Sequence, residues 1–217
     1  MNIQEMKSIR FPPPTADEEI RAILAGRKTV TRRVVKPKTP YRYNREKKTI
    51  FYDVSDTPYR PGDILYVRET FFECGGYFYY KADGRHEALE KLGIRFKWRP
   101  SIHMPREAAR IFLRVTDVRA ERLQDPFFKH GSTIFSLRRE GIDIGEQCRE
   151  CIETYGSPCC IDDESECGVL DEVRGEFSVL WNRTIKPADL AKYSWGVNPW
   201  AWVIEFERIG EEETMSI

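Results

Sequence analysis

The sequence predicts an α+β fold in which mostly antiparallel strands form a small β-barrel and the helices lie at its periphery. Two observations support this: short β-rich segments are separated by turn signals, and the helical patterns do not alternate regularly with them. The 217 residues are 41% hydrophobic and 32% charged, a composition typical of a globular domain with a buried core. No apolar run reaches the length of about 18 residues that a transmembrane helix needs, and no signal peptide pattern is present. We therefore expect a cytoplasmic monomer without a membrane partner.

The N-terminal segment predicts a strand followed by a helix. Residues 6–11 are typical of a short strand, which a run of prolines ends. Thr15 is a candidate N-cap, and Glu18 three residues later would complete a capping box. Apolar residues at helical spacing follow, and Gly26 suits the position just after a helix.

Further strands are predicted for residues 30–35, 49–54, 64–72, 77–82, 111–118 and 200–206, and an amphipathic helix for residues 172–183. Gly75 and Gly76 predict a hairpin turn between two of these strands. In the last strand, apolar side chains alternate from Trp200 to Phe206. This alternation predicts a strand that is buried on one face only.

Charge is distributed unevenly along a chain whose formal net charge is zero. Residues 1–120 contain 25 Lys and Arg against 15 Asp and Glu, a balance of +10, and residues 121–217 contain 10 against 20, a balance of −10. The basic excess is greatest in residues 28–48, where Tyr41 and Tyr43 also lie. Basic and aromatic side chains together suit single-stranded nucleic acid, although a solvated, charged hairpin or loop accounts for them equally well.

Five of the six cysteines fall within one acidic stretch. They are Cys148, Cys151, Cys159, Cys160 and Cys167. Two thiolates separated by two residues can hold one ion from a tight turn, and further cysteines can complete a tetrahedral site. We predict structural zinc in an insertion at about residues 145–170, with Cys148, Cys151 and Cys167 as ligands and either Cys159 or Cys160 as the fourth. Disulfides, an iron–sulfur cluster or unligated thiols are the alternatives.

One string and four longer stretches carry a family resemblance. The string GRKTVTRR occupies residues 26–33, where it follows a helix and opens a strand. It is accompanied, in order, by residues 61–70, by 98–106, by 115–119 with 123–125, and by 193–195 with 198–206. Together they resemble the ASCH domain of the PUA-like superfamily, in the longer form found in bacteria and their phages. The resemblance implies a PUA-like β-barrel in a single domain over residues 1–217, with the cysteine-rich stretch as an insertion.

The resemblance also implies a function. PUA-like folds are associated with RNA binding, and a small bacterial ASCH enzyme removes the acetyl group of N4-acetylcytidine. Its lysine and threonine match Lys28 and Thr31, and its glutamate has a weaker match in Glu140. Further candidates for contact with RNA or a modified nucleoside are Arg27, Arg32, Arg33, Arg68, Glu69 and His103. A non-catalytic RNA-binding module, or a ribonuclease, could use the same basic cleft.

Amide hydrolysis requires a nucleophile, a base that takes its proton and an acid for the leaving amine. Thr31 could attack if Lys28, in its neutral form, takes the proton, and Glu140 could protonate the amine. Lys28 and Thr31 are three residues apart, so a regular strand would direct them to opposite faces. They can meet only if residues 26–29 form a turn or bulge, which Gly26 permits. Otherwise Lys28 and its neighbouring arginines would contact phosphate.

Three of the remaining candidates also have simpler interpretations. Arg68 and Glu69 follow the apolar part of a predicted strand, where a salt bridge at the rim of a barrel is expected. His103 lies between Ile102 and Met104, which is typical of a histidine in a core or lining a pocket.

We predict that the purified protein contains about one equivalent of zinc, measured by elemental analysis. The double variant Cys148→Ser/Cys151→Ser should lose this zinc, because a tetrahedral thiolate site cannot be completed without that pair. Cys74→Ser, outside the cysteine-rich stretch, is the matched control and should retain the metal. Zinc-free wild-type protein, purified without chelators, would contradict the prediction.

Overall fold

The computed structural model describes residues 6–13, 15–36, 40–47, 49–84, 86–91, 93, 95–125, 133–142, 168–210 and 213. Within these ranges the strands are β1 (Lys7–Arg10), β2 (Val30–Val34), β3 (Tyr41–Asn44), β4 (Thr49–Tyr52), β5 (Ile64–Arg68), β6 (Phe71–Cys74), β7 (Tyr77–Tyr80), β8 (Phe112–Arg122) and β9 (Trp200–Arg208). The α-helices are α1 (Ala16–Leu24), α2 (His86–Lys91), α3 (Thr133–Arg139), α4 (Gly168–Thr184) and α5 (Leu190–Tyr193). The predicted α+β class is confirmed. None of these helices is long and apolar enough to cross a membrane.

Five strands form a mixed sheet in the order β1-β5-β8-β9-β2. β1 is parallel to β5, with Lys7 opposite Leu65, whereas β2 is antiparallel to β9, with Val30 opposite Glu205. β5 and β8 are also antiparallel, and β3–β4 and β6–β7 form separate two-stranded hairpins. No closed barrel is found within the described ranges, so the PUA-like barrel stays a prediction.

The chain divides into two compact units, each built from separate stretches of sequence. Unit 1 comprises Met1–Gly26, Pro61–Thr116 and Phe206–Ile217, and unit 2 comprises Arg27–Arg60 and Asp117–Glu205. The borders fall inside β8 and β9, so both strands contribute residues to each unit. The single domain over residues 1–217 stays a prediction.

In unit 1, α1 forms where it was expected, but the predicted capping box does not. Thr15 has helical backbone angles, φ −87° and ψ −4°, whereas a capping residue normally has an extended backbone. Its hydroxyl therefore does not cap the helix, and it donates instead to Glu19 Oε1 at 2.9 Å. Glu18 does not take the role predicted for it.

The strand predicted for residues 64–72 is divided into β5 and β6. Phe71 exchanges backbone hydrogen bonds with Arg99, at 3.1 and 2.7 Å, and this pairing takes β6 out of the line of β5. Gly75 and Gly76 then reverse the chain with φ angles of 59° and 79°, as a two-residue hairpin turn requires. The predicted hairpin is thus confirmed as β6–β7.

In unit 2, β9 is buried on both faces, which corrects the prediction of a half-buried strand. Trp202 and Ile204 are buried as expected, but Ala201 and Val203, which point the other way, are buried too. One reason is the cluster formed by Leu123, Leu137, Ile142, Val173, Phe177, Trp181 and Ala201. Because α3 and the predicted amphipathic helix, observed as α4, cover this face of β9 at Ala201, the apolar side chain there is buried.

We predict that Ile204→Ala lowers the free energy of unfolding by about 2–5 kcal/mol, since a fully buried side chain leaves a cavity. Urea denaturation followed by circular dichroism measures this change. Val179→Ala, on the exposed face of α4, is the control and should change the stability by less than about 0.5 kcal/mol. Equal effects of the two substitutions would show that β9 does not lie in the core.

Candidate functional site

The segment before β2 is held against the end of α3. Gly26 follows α1 with a φ angle of 71°, the left-handed conformation that glycine adopts without strain. Lys28 then forms an isolated antiparallel bridge with Glu140, and the N–H of Thr29 donates to the carbonyl of Arg139 at 2.9 Å. The backbone thus brings the lysine of the basic string to a carboxylate far away in the sequence.

Glu140 accepts hydrogen bonds from two cations in the interior of unit 2. Lys28 Nζ lies 2.8 Å from the Glu140 carbonyl oxygen and 3.2 Å from Oε2, and Arg32 Nη1 donates to Oε1. The side chains of Lys28 and Glu140 are only 3% and 4% exposed. We call Lys28, Arg32 and Glu140 the buried ion cluster. Its carboxylate is positioned to accept or return a proton at Lys28.

The buried ion cluster carries one positive charge more than negative charge. Burial is the largest influence on Arg32 and lowers its pKa to about 10. The carboxylates of Glu121 and Glu205 act in the opposite direction and favour the protonated guanidinium. These acidic residues therefore offset part of the excess charge.

Glu205 belongs to a network of ion pairs at the edge of this cluster. Arg119 Nη1 donates to Glu205 at 2.5 Å and to Asp117 at 2.7 Å, and Arg139 also donates to Glu205. Burial would raise the pKa of Glu205, but the hydrogen bonds from Arg139 and Arg119 outweigh it and hold the pKa below its usual range. This network was not predicted from the sequence. The feature of the sequence that could have indicated it is the alternation of Asp117, Arg119 and Glu121 along one face of β8.

Thr31 is buried in β2 opposite Ile204. Consecutive strand residues point to opposite faces, so Thr31 faces away from the side on which Arg32 meets Glu140. Arg33 is half-buried and donates to the carbonyl of Arg32 at 3.4 Å. Of the proposed catalytic set, the structure thus brings Lys28 and Glu140 together, and strand alternation separates Thr31 from them.

Arg27 is exposed and donates to the carbonyl of Gly141 at 3.2 Å. This contact lies beside the bridge between Lys28 and Glu140. Arg27 therefore helps to hold the loop to the end of α3, and its exposure leaves it accessible to a ligand.

The other three candidates belong to unit 1. Arg68 donates to the carbonyl of Met104 at 3.0 Å, and Glu69 is fully buried beneath Arg110, whose guanidinium donates to both of its oxygens at 2.9 and 2.8 Å. Burial raises the pKa of Glu69, and the hydrogen bonds from Arg110 oppose that effect. His103 is exposed, which corrects the core position, one of the two alternatives expected for it.

Arg110 also contributes to a cavity in unit 1. Its guanidinium lies 3.9 Å from the centre of the Tyr80 ring and donates to Asp83 at 2.7 and 3.0 Å. The cavity has a volume of about 350 Å³ and is lined by Tyr77, Phe78, Tyr79, Tyr80, Asp83, Leu89, Trp98 and Arg110. Glu69 thus forms a salt bridge with an arginine that lines this cavity, whereas a salt bridge at the rim of a barrel was expected from the sequence.

The predicted zinc ligands Cys148, Cys151, Cys159, Cys160 and Cys167 lie outside the described residues. Within the described ranges, no group of three or more His, Cys, Asp and Glu side chains could hold a metal ion. Zinc in the cysteine-rich stretch stays a prediction.

Comparisons of the chain with protein-family models, with curated proteins and with solved structures gave no significant match. The ASCH resemblance therefore stays a prediction carried by the motifs themselves.

We predict that Glu140→Gln lowers the free energy of unfolding by about 3–5 kcal/mol, because it leaves two buried cations without their carboxylate. Urea denaturation of Lys28→Met, Glu140→Gln and the double variant measures the coupling between the two side chains. The double variant should lose less stability than the sum of the single losses. Glu176→Gln, on the exposed face of α4, is the control for the loss of a carboxylate. Additive losses would contradict the pairing.

Proposed function

We propose that this protein binds nucleic acid or a modified nucleoside and hydrolyses the exocyclic amide of an N-acylated cytosine. The observation that carries the proposal is the contact between Lys28 and Glu140, which are 112 residues apart in the sequence. A general base and a general acid must lie within hydrogen-bond reach of the reacting groups, and a buried pair is suited to exchange protons. The resemblance to the ASCH domain implies the same two residue types.

The division of roles follows from one proton transfer. Lys28 Nζ lies 3.2 Å from Glu140 Oε2, and the proposed cycle starts from the ionised pair. Substrate that excludes water favours the neutral pair, in which the proton has moved from the ammonium group to the carboxylate. The Lys28 amine then takes a proton from the nucleophile, and the Glu140 carboxyl gives its proton to the departing exocyclic nitrogen. The step ends with the original ion pair.

The resemblance and the geometry of β2 favour different nucleophiles, and one substitution distinguishes them. The resemblance implies the Thr31 hydroxyl, whose oxygen would bond to the acyl carbon as the carbon–nitrogen bond breaks, so that water must afterwards release the acyl group. The alternation of β2 instead favours a water molecule that attacks the acyl carbon directly. In either case the products are the unmodified base and a carboxylic acid.

A second candidate function is nucleic-acid binding without catalysis. The exposed tyrosines of the β3–β4 hairpin favour it, because they offer ring surfaces far more accessible than the buried ion cluster. The PUA-like barrel, the zinc-binding insertion, the monomeric state and the cytoplasmic location belong to both proposals.

We expect the purified protein to release acetate and cytidine from N4-acetylcytidine. Chromatography measures the cytidine that is formed. Lys28→Met and Glu140→Gln should each lower kcat/KM by at least about 100-fold, since each removes one proton-transfer group. If the Thr31 hydroxyl attacks, Thr31→Val should abolish turnover. If water attacks, this variant should keep most of the wild-type turnover.

Lys192→Met, an exposed lysine of α5, is the control for the loss of a lysine and should retain full activity. Circular dichroism ensures that each variant is compared in its folded form. Wild-type protein that shows no turnover of N4-acetylcytidine or related N-acylated nucleosides, yet binds RNA in a salt-sensitive manner, would replace the first function with the second.

A further inference from the structure

The β3–β4 hairpin of unit 2 presents aromatic rings to solvent. Tyr41 is 66% exposed and Tyr43 55%. The register places Tyr41 opposite Tyr52 and Tyr43 opposite Ile50, so these four side chains share one face. Because exposed aromatic surface is unfavourable in water, two neighbouring exposed rings on a regular strand indicate a surface that binds a ligand.

The spacing of the rings fits unpaired bases. Tyr41 and Tyr43 are two residues apart in β3, so their Cα atoms are separated by about 7 Å. Stacked bases in a nucleic-acid strand rise by about 3.4 Å, so the spacing equals two stacking intervals. Each tyrosine can stack on one base, and every base has a face suitable for this contact.

The charges around the rings complement phosphate. Between residues 40 and 47 the basic residues are Arg42, Arg45 and Lys47, and the acidic one is Glu46. Arg42 pairs with Asp56 and Asp53, so the phosphate contacts are assigned to the exposed Arg45 and Lys47 in the turn. A single strand placed on the tyrosines would bring its backbone to these cations.

The hairpin is anchored at its base through the face that carries Tyr41 and Tyr43. An isolated two-stranded hairpin is only marginally stable, but the Tyr52 ring packs edge-on against Trp200 and Trp202, with ring centres 5.4 and 6.2 Å apart. Trp202 is itself buried in β9. Tyr52 thus fixes the base of the hairpin, while Tyr41 and Tyr43 remain at the surface.

We infer that the β3–β4 hairpin binds single-stranded nucleic acid by stacking unpaired bases on Tyr41 and Tyr43, with Arg45 and Lys47 on the phosphates. The inference rests on the nucleic-acid partner of the proposed function and is independent of the chemistry at Lys28. It differs from the basic cleft expected from the sequence, because two of the cations of that cleft point into the interior. Duplexes hide the faces of their bases and should bind more weakly.

Fluorescence anisotropy with labelled oligouridine and oligothymidine of about 12 nucleotides tests this inference. Tyr41→Thr/Tyr43→Thr removes both rings and keeps residues that favour strands. It should weaken binding by at least about 30-fold and leave the salt dependence unchanged. Tyr41→Trp/Tyr43→Trp keeps a ring at each position and should retain the affinity. Binding of either oligonucleotide supports the inference.

Two further variants separate stacking from charge. Arg45→Gln/Lys47→Gln should flatten the plot of log affinity against log salt by about 1.4, as expected for two phosphate contacts on a single strand. Tyr77→Thr, which removes a tyrosine that is 73% exposed in β7 of the other hairpin, is the matched control and should leave the affinity unchanged.

Three results would overturn the inference: no binding by the wild-type protein, equal binding of duplex RNA, or an equal loss of affinity in Tyr77→Thr. Turnover of free N4-acetylcytidine by the same variants separates this failure from that of the proposed chemistry. Normal turnover without oligonucleotide binding rejects the hairpin alone. Tyrosine-dependent binding without turnover rejects the hydrolase alone.

Discussion

The carboxylate of Glu140 is the group on which the arrangement of unit 2 depends. It accepts hydrogen bonds from Lys28 and Arg32 in the interior, and the carbonyl of the same residue binds Lys28 again. A buried charge is strongly unfavourable unless it is paired. The loop before β2, the strand itself and the end of α3 are therefore confined to one arrangement, because moving any of them would leave a charge unpaired.

This constraint decides which basic residues remain for a ligand. Lys28 and Arg32 belong to the most basic part of the sequence, yet they serve the interior of unit 2. Around them, Arg119 and Glu205 continue the pairing towards the surface. The aromatic and basic side chains of the β3–β4 hairpin lie outside this network. The formal charge of a segment is thus a poor guide to the charge that it offers to solvent.

Patterns that depend on neighbours in the chain were predicted well. The turn at Gly75 and Gly76 and the periodicity of α4 are examples, because steric freedom and helical spacing are local properties. Apart from the capping box predicted at Thr15, which is a local feature and does not form, the errors concern features that distant residues control. β9 is buried on both faces because α3 and α4 cover one of them, and β6 leaves the line of β5 because Arg99 pairs with Phe71. β3, α2 and α3, which lack a strong local signal, were not predicted.

In the candidate site too, local features could be predicted from the sequence, whereas contacts between distant segments could not. From its motif and charge pattern, the sequence alone was sufficient to single out Lys28, Thr31 and Arg32, to propose Glu140, and to expect a conflict between the parities of Lys28 and Thr31. Only the tertiary structure decided that Glu140 reaches Lys28 across 112 residues and that Arg32 joins them, on the face of β2 away from Thr31. The reason is physical: strand alternation follows from adjacent residues, whereas the pairing of buried charges depends on which distant segments pack together.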